Sequence, residues 1–141
     1  MPAAESSGLI HASAVAVGTA GVLITGKSGA GKSSLALALI ALGAELVSDD
    51  QVLLTRKDSG LLMSAPSTLK NRIEARGIGV LSQPARPAWA QLVVDLDDVE
   101  KDRLPDRQEI VIAGSRIRVL RRVESDAFPS MLYVLLQGGL S

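Results

Sequence analysis

The chain has 141 residues, 47% of them hydrophobic, and its fifteen basic and fifteen acidic residues cancel. That is enough for one domain with a proper core, packed by aliphatic side chains because only Trp89, Phe128 and Tyr133 are aromatic. The lack of a basic block and of aromatic platforms speaks against a nucleic-acid binder, and the lack of cysteine excludes disulfides and thiolate metal sites. Met1 to Ser7 has neither the basic start nor the apolar core of a signal peptide. The most apolar run, Leu35 to Leu42, is far too short to span a bilayer. The expectation is a soluble, cytoplasmic protein folded as a single compact domain over 1–141.

In chain order, Leu9 to Val17 reads as a first strand, turned by Gly18 and Thr19 into a second over Gly21 to Thr25. With no helix between them the two should pair antiparallel. His11, the lone histidine, would share a strand face with Leu9, Ser13 and Val15, and by itself such a residue reads as structural. Next comes Gly26-Lys27-Ser28-Gly29-Ala30-Gly31-Lys32-Ser33, which satisfies G-x-x-x-x-G-K-[ST] at every fixed position. Ser34 to Leu42 is rich in helix formers and stopped by Gly43. Strand, glycine loop and helix form the context a P-loop requires. The loop amides and the helix N-terminus would cradle phosphate, Lys32 would neutralise the β/γ-phosphates, and Ser33 would ligate Mg²⁺.

Glu45 to Ser48 is a short strand ending in Asp49-Asp50, and Gln51 to Arg56 continues it in extended form. Lys57 to Gly60 turns the chain into a hairpin with Leu61 to Ala65. Carboxylates one crossover beyond a P-loop suit the metal-handling half of a nucleotide site. Pro66 to Arg76 reads as a short helix or helical turn, Gly77 to Ser82 as a glycine-punctuated loop, and Gln83 to Ala88 as a proline loop. Trp89 to Leu96 is the clearest later strand, and the acidic stretch Asp97 to Asp106 reads as solvated surface. Glu109 to Ile112 and Arg116 to Leu120 flank Ala113-Gly114-Ser115 as a hairpin. A last helix runs from Pro129 to Gln137 and is closed by Gly138-Gly139. The fold class is α/β, a P-loop kinase-like mixed sheet with flanking helices.

Four segments together resemble the catalytic domain of the HPr kinase/phosphorylase family. Leu46-Val47-Ser48-Asp49-Asp50 is similar to its apolar-Ala-Asp-Asp segment. Ile73-Glu74-Ala75-Arg76-Gly77-Ile78-Gly79-Val80 resembles its signature Leu-Glu-Ile-Arg-Gly-Leu-Gly-Ile. Asp102-Arg103-Leu104 is similar to its Tyr-Asp-Arg-Leu segment, and His11 precedes the P-loop at about the separation of its catalytic histidine.

The resemblance implies an ATP-dependent serine kinase of the phosphocarrier protein HPr, hexameric, with ATP and Mg²⁺ as cofactors. It makes Asp50 the general base and Asp49 its neighbour. Gly26 to Ser33 would hold ATP, with Lys32 on the phosphates. Ser33 and Glu74 would place Mg²⁺, and Arg103 and His11 would stabilise charge at the transferred group. Three departures stand out. The family's N-terminal domain has no counterpart here, and the Gly79 to Arg103 segment is short. The Arg-Pro-Gly-Arg-Asn loop tied to dephosphorylation is replaced by Arg121-Arg122-Val123-Glu124-Ser125-Asp126, so the expected reverse activity is weak or absent. A small-molecule P-loop kinase and an ATP-binding regulator without transfer activity are the alternatives. A GTPase is disfavoured by the lack of an Asn-Lys-x-Asp motif.

Overall fold

Period-two alternation of apolar side chains builds a sheet buried on both faces. The structure, a computed structural model, describes residues 7–138. In Ser13–Val17 (β2) and Ala20–Thr25 (β3), Val15, Val22 and Ile24 face one hydrophobic cluster, while Ala14, Ala16 and Leu23 face a second. Ala88–Val99 (β9) divides in the same way, with Leu92, Val94 and Leu96 on the first side and Val93 on the other. The first cluster is closed by two helices, Lys32–Leu42 (α1) and Phe128–Gln137 (α2), through Leu35, Leu39, Phe128, Leu132 and Leu136. Each fully buried Leu or Ile contributes about 1.5–3 kcal/mol relative to exposure. Gly31 (φ 100°) and Gly43 (φ 126°) bound α1, and Tyr133 packs so closely on Gly43 that a Cβ there would meet its hydroxyl.

The remaining strands are Ser7–Ile10 (β1), Glu45–Ser48 (β4), Val52–Lys57 (β5), Gly60–Ser64 (β6), Arg72–Ala75 (β7), Gly79–Ser82 (β8), Gln108–Ile112 (β10) and Ser115–Arg122 (β11). Nine strands form one curled, mixed sheet in the order β1-β5-β6-β9-β3-β2-β4, with β11 and then β10 branching from β9. The β1-β5-β6 arm closes the second cluster through Val52, Leu54, Leu61 and Met63. The helices therefore flank one face and strands cover the other. Two-residue turns join β5 to β6 (Asp58, φ 50°; Ser59, φ 68°) and β10 to β11 (Ala113, φ 50°; Gly114, φ 82°), with the paired positive φ of type I′ hairpins.

Three expectations from the sequence are corrected. Leu9 to Val17 is two strands broken at His11-Ala12: β1 pairs with β5, whereas β2 pairs with β3 and β4. His11 thus sits at a chain bend and not on a strand face with Ser13 and Val15. Gln51 to Arg56 does carry β4 onward: β4 and β5 run the same way against β2 and β1, separated only by a kink at Asp50 (φ 71°), where the Gln51 N–H returns to the Asp49 carbonyl at 2.8 Å. Pro66 to Arg76 is helical only in a 3-10 turn at Ser67–Leu69; β7 follows, alternating buried Ile73 and Ala75 with exposed Arg72 and Glu74. The supposed loop Gly77 to Ser82 is the turn and return strand of that β7-β8 hairpin, which stands apart as a two-stranded sheet. The reading of Met1 to Ser7 falls largely on residues 1–6, and the closing Gly139 on 139–141, outside the described residues.

Candidate active site

Register brings the chemistry-bearing ends together. Ser13 at the start of β2 pairs with Ile24 near the end of β3, and Ala14 pairs with Ser48 at the end of β4. On the other side of β3, Thr25 lies beside Asp95 of β9 in parallel register. The P-loop, the Asp49-Asp50 turn, His11-Ser13 and the β9 carboxylates consequently share one end of the sheet. Beside the P-loop lies a cleft of about 270 Å³ lined by residues that include His11, Ser13, Ser28, Lys32, Ser33, Asp50, Glu74 and Arg76.

The P-loop is wound by positive φ at Gly26 (152°), Gly29 (85°) and Gly31 (100°), a region that side chains rarely enter. Gly31 precedes α1 without a side-chain cap, and no acidic residue occupies the first turn. The first amides of the helix are left for an anion, and the helix dipole favours one. Lys32 is only 7% exposed. Its ammonium donates to the Gly26 and Lys27 carbonyls at 2.7 and 3.0 Å, which leaves the third donor for a phosphate oxygen.

Asp49 and Asp50 are adjacent in sequence and opposite in environment. Asp49 is 6% exposed. Its Oδ1 accepts from the hydroxyls of Ser13 and Ser33, each at 2.7 Å, and its Oδ2 accepts the Glu74 N–H at 3.1 Å. Asp50 is held in the left-handed region, and its carboxylate stands open to solvent, with His11 Nε2 at 3.1 Å as its one partner among the described residues. A strained, exposed carboxylate beside a glycine-rich P-loop motif is the kind of outlier that marks function.

Of the other residues singled out from sequence, Glu74 lines the cleft, although from strand β7 and not a helix. Arg103 lies in the segment after β9 and is not among the residues lining the cleft. Three residues escaped the sequence reading. Ser13 orients Asp49, Arg76 lines the cleft, and Asp97, assigned to solvated surface, accepts the Lys27 N–H at 3.0 Å. Ser13 and Asp97 act through pairings between distant strands, which no local pattern encodes; Arg76 stood within the signature segment without a role.

The family model of the HPr Serine kinase C-terminal domain matches residues 3–117. The chain belongs to this family. It is 45% identical over 115 residues to an HPr kinase/phosphorylase of Geobacillus kaustophilus, covering 72% of this chain and 37% of that protein. A second HPr kinase/phosphorylase, from Limosilactobacillus reuteri, is 38% identical over 111 residues, 70% of this chain and 35% of its own. The chain thus spans little more than a third of the length of either relative. Among solved structures, the Hpr(Ser) kinase/phosphatase from Coxiella burnetii superposes with a TM-score of 0.77 at 25% identity, over 93% of this chain and 95% of that one. Both the mixed P-loop sheet and the family assigned from sequence are borne out.

Proposed function

We propose that this member of the HPr kinase family is an ATP-dependent serine kinase that phosphorylates HPr. The observation that carries the reading is the division of labour between the two aspartates. Asp49 has both oxygens engaged by three donors and ties Ser33 of the P-loop to β4, so it orients. Asp50 is free on the cleft side and can take a proton.

In the reaction the serine hydroxyl oxygen of the acceptor bonds to the γ-phosphorus, the bond from that phosphorus to the bridging oxygen breaks, and ADP leaves. The hydroxyl proton passes to Asp50, while His11 donates to the same carboxylate and fixes its direction. Positioning and charge neutralisation do most of the remaining work, through Lys32, Arg76 and the loop amides. Asp50 also borders a second depression lined by Leu69, Arg72 and Val80, which gives an acceptor an approach that does not cross the nucleotide. Arg103, from the segment after β9, would add positive charge at the transferred group.

The residues present fit Mg²⁺. Because Ser33 has committed its proton to Asp49, its lone pairs remain for a cation, and the Glu74 carboxylate lines the same cleft. Two protein oxygens are an ordinary Mg²⁺ allotment, the rest being phosphate and water. Such an ion would offset phosphate charge in a cleft that also holds carboxylates.

Further parts of the reading concern direction, assembly and location. Arg121 donates to Gln108 and lines a depression with Asp98 to Asp102 instead of the nucleotide cleft, which supports weak or absent phosphorylase activity. A homohexamer would cover apolar side chains such as Leu42, Met131 and Val134, all exposed on the helices; light scattering over a dilution series would report it, and a micromolar monomer would reject it. The cytoplasm, which supplies ATP, is the proposed location, and no helix among the described residues is long and apolar enough to cross a membrane.

The test is to incubate the protein with labelled ATP, Mg²⁺ and HPr from the same source and assay phosphoserine. Label on the HPr serine is expected. Binding of ATP without transfer would favour a regulator, and transfer to a small molecule alone would favour the other kinase reading.

A further inference from the structure

Asp97 is exposed, yet its carboxylate is bonded to the first turn of the P-loop, where Oδ1 accepts the Lys27 N–H at 3.0 Å. Strand β9 carries it there, and Asp95 Oδ1 in turn holds the Asp97 N–H at 2.9 Å. The peptide that donates to Asp97 joins Gly26 to Lys27. In a trans peptide the C=O and the N–H point in opposite directions across one rigid plane. The carbonyl at the far side of this plane, that of Gly26, accepts from the Lys32 ammonium at 2.7 Å. One planar group therefore links Asp97 to Lys32.

Reversal of that plane would aim an N–H at the ammonium and leave a nearly buried Lys32 short of an acceptor. Gly26 makes the arrangement feasible. A Cβ there would come within 3.0 Å of the Ala30 Cβ and 3.3 Å of the Leu96 Cβ, so a side chain would push the loop away from β9.

We propose that Asp97 is a positioning residue for the nucleotide: by fixing the Gly26–Lys27 peptide it holds the Lys32 ammonium where phosphate binds. The inference rests on the ATP-binding reading above. The role belongs to the acceptor oxygen and not to the charge, since a carboxylate beside the P-loop repels polyphosphate. Asparagine keeps an acceptor and removes that repulsion.

The experiment is calorimetric titration of wild type, Asp97→Ala and Asp97→Asn with Mg-ATP, with thermal unfolding of each nucleotide-free protein alongside. Asp97→Ala is expected to weaken Mg-ATP binding about tenfold, the order expected for one hydrogen bond to a charged group. Asp97→Asn is expected to bind at least as tightly as wild type. Wild-type affinity in Asp97→Ala would overturn the proposal. So would a parallel loss in Asp97→Asn, which would show that the charge itself is needed, as in a metal ligand. A wild type that binds no Mg-ATP would overturn the nucleotide reading and this inference with it.

Discussion

Ser33 Oγ donates to Asp49 Oδ1 at 2.7 Å, so the P-loop is fastened to the end of β4 within the chain's own structure. The same oxygen accepts from Ser13, and the partner oxygen takes the Glu74 amide. Three strands and the P-loop helix thereby converge on one buried carboxylate. Its neighbour Asp50 has only His11 as a partner among the described residues.

This contrast separates two substitutions that look equivalent in sequence. Asp49→Asn places an NH₂ where donors already converge and should cost about 1–3 kcal/mol of stability. Asp50→Asn should change stability by less than about 0.5 kcal/mol, since the side chain is exposed, while transfer falls by roughly two to four orders of magnitude. Urea unfolding and a phosphoserine assay on both variants provide the check. Undiminished transfer in Asp50→Asn would remove it as the base.

Lys32→Ala should abolish transfer and weaken Mg-ATP binding at least about tenfold, since the lost ammonium is the main side-chain charge offered to the phosphates. Calorimetry reads the affinity directly. Unchanged affinity together with unchanged activity would sink the P-loop assignment.

Ser13→Ala removes one of the two hydroxyls on Asp49 and should destabilise the fully buried site by about 1 kcal/mol. Transfer should fall less than in Asp50→Asn, because Ser33 still holds Asp49. Single-turnover rates for the two variants would rank them, and a greater loss in Ser13→Ala would mean that Ser13 meets the substrate itself.

Gly21→Ala tests the scaffold. A Cβ at this position would collide with the Trp89 carbonyl and come within 2.8 Å of the Met63 Cε. Backbone cannot yield as a flexible side chain does, so a loss of about 1–3 kcal/mol is expected. An unshifted denaturant midpoint would show that β3 and β9 are not so closely apposed.

What the sequence disclosed follows from how local each feature is. The P-loop, its flanking strand and helix, and both hairpins are written in consecutive residues, and their ends are legible to within one or two residues. Local pattern puts Glu74 in a helical segment, because Pro66-Ser67 opens a helical start and Leu, Lys, Glu and Ala follow. Its four-residue alternation was too short to compete, and packing of Ile73 against the core decided for a strand. The break at His11 was hidden because both halves are apolar and extended; only pairing with different partners separates them. Asp97 was unreadable for the same reason, its partner being seventy residues away.

That separation also sets an order of events when the chain is made. The P-loop and α1 are complete long before β9, yet β9 supplies the parallel neighbour of β3, pairs with β6 and β11, and carries the P-loop's anchor Asp97. Such distant pairings close late and slowly, because loop entropy is spent before contacts repay it. Until Ala88 and the residues after it have left the ribosome, α1 presents Leu35 and Leu39 with only part of the layer that will cover them. The cleft beside the P-loop is therefore set in place only after β9 has been made, and a nascent chain arrested before β9 would present part of its core uncovered.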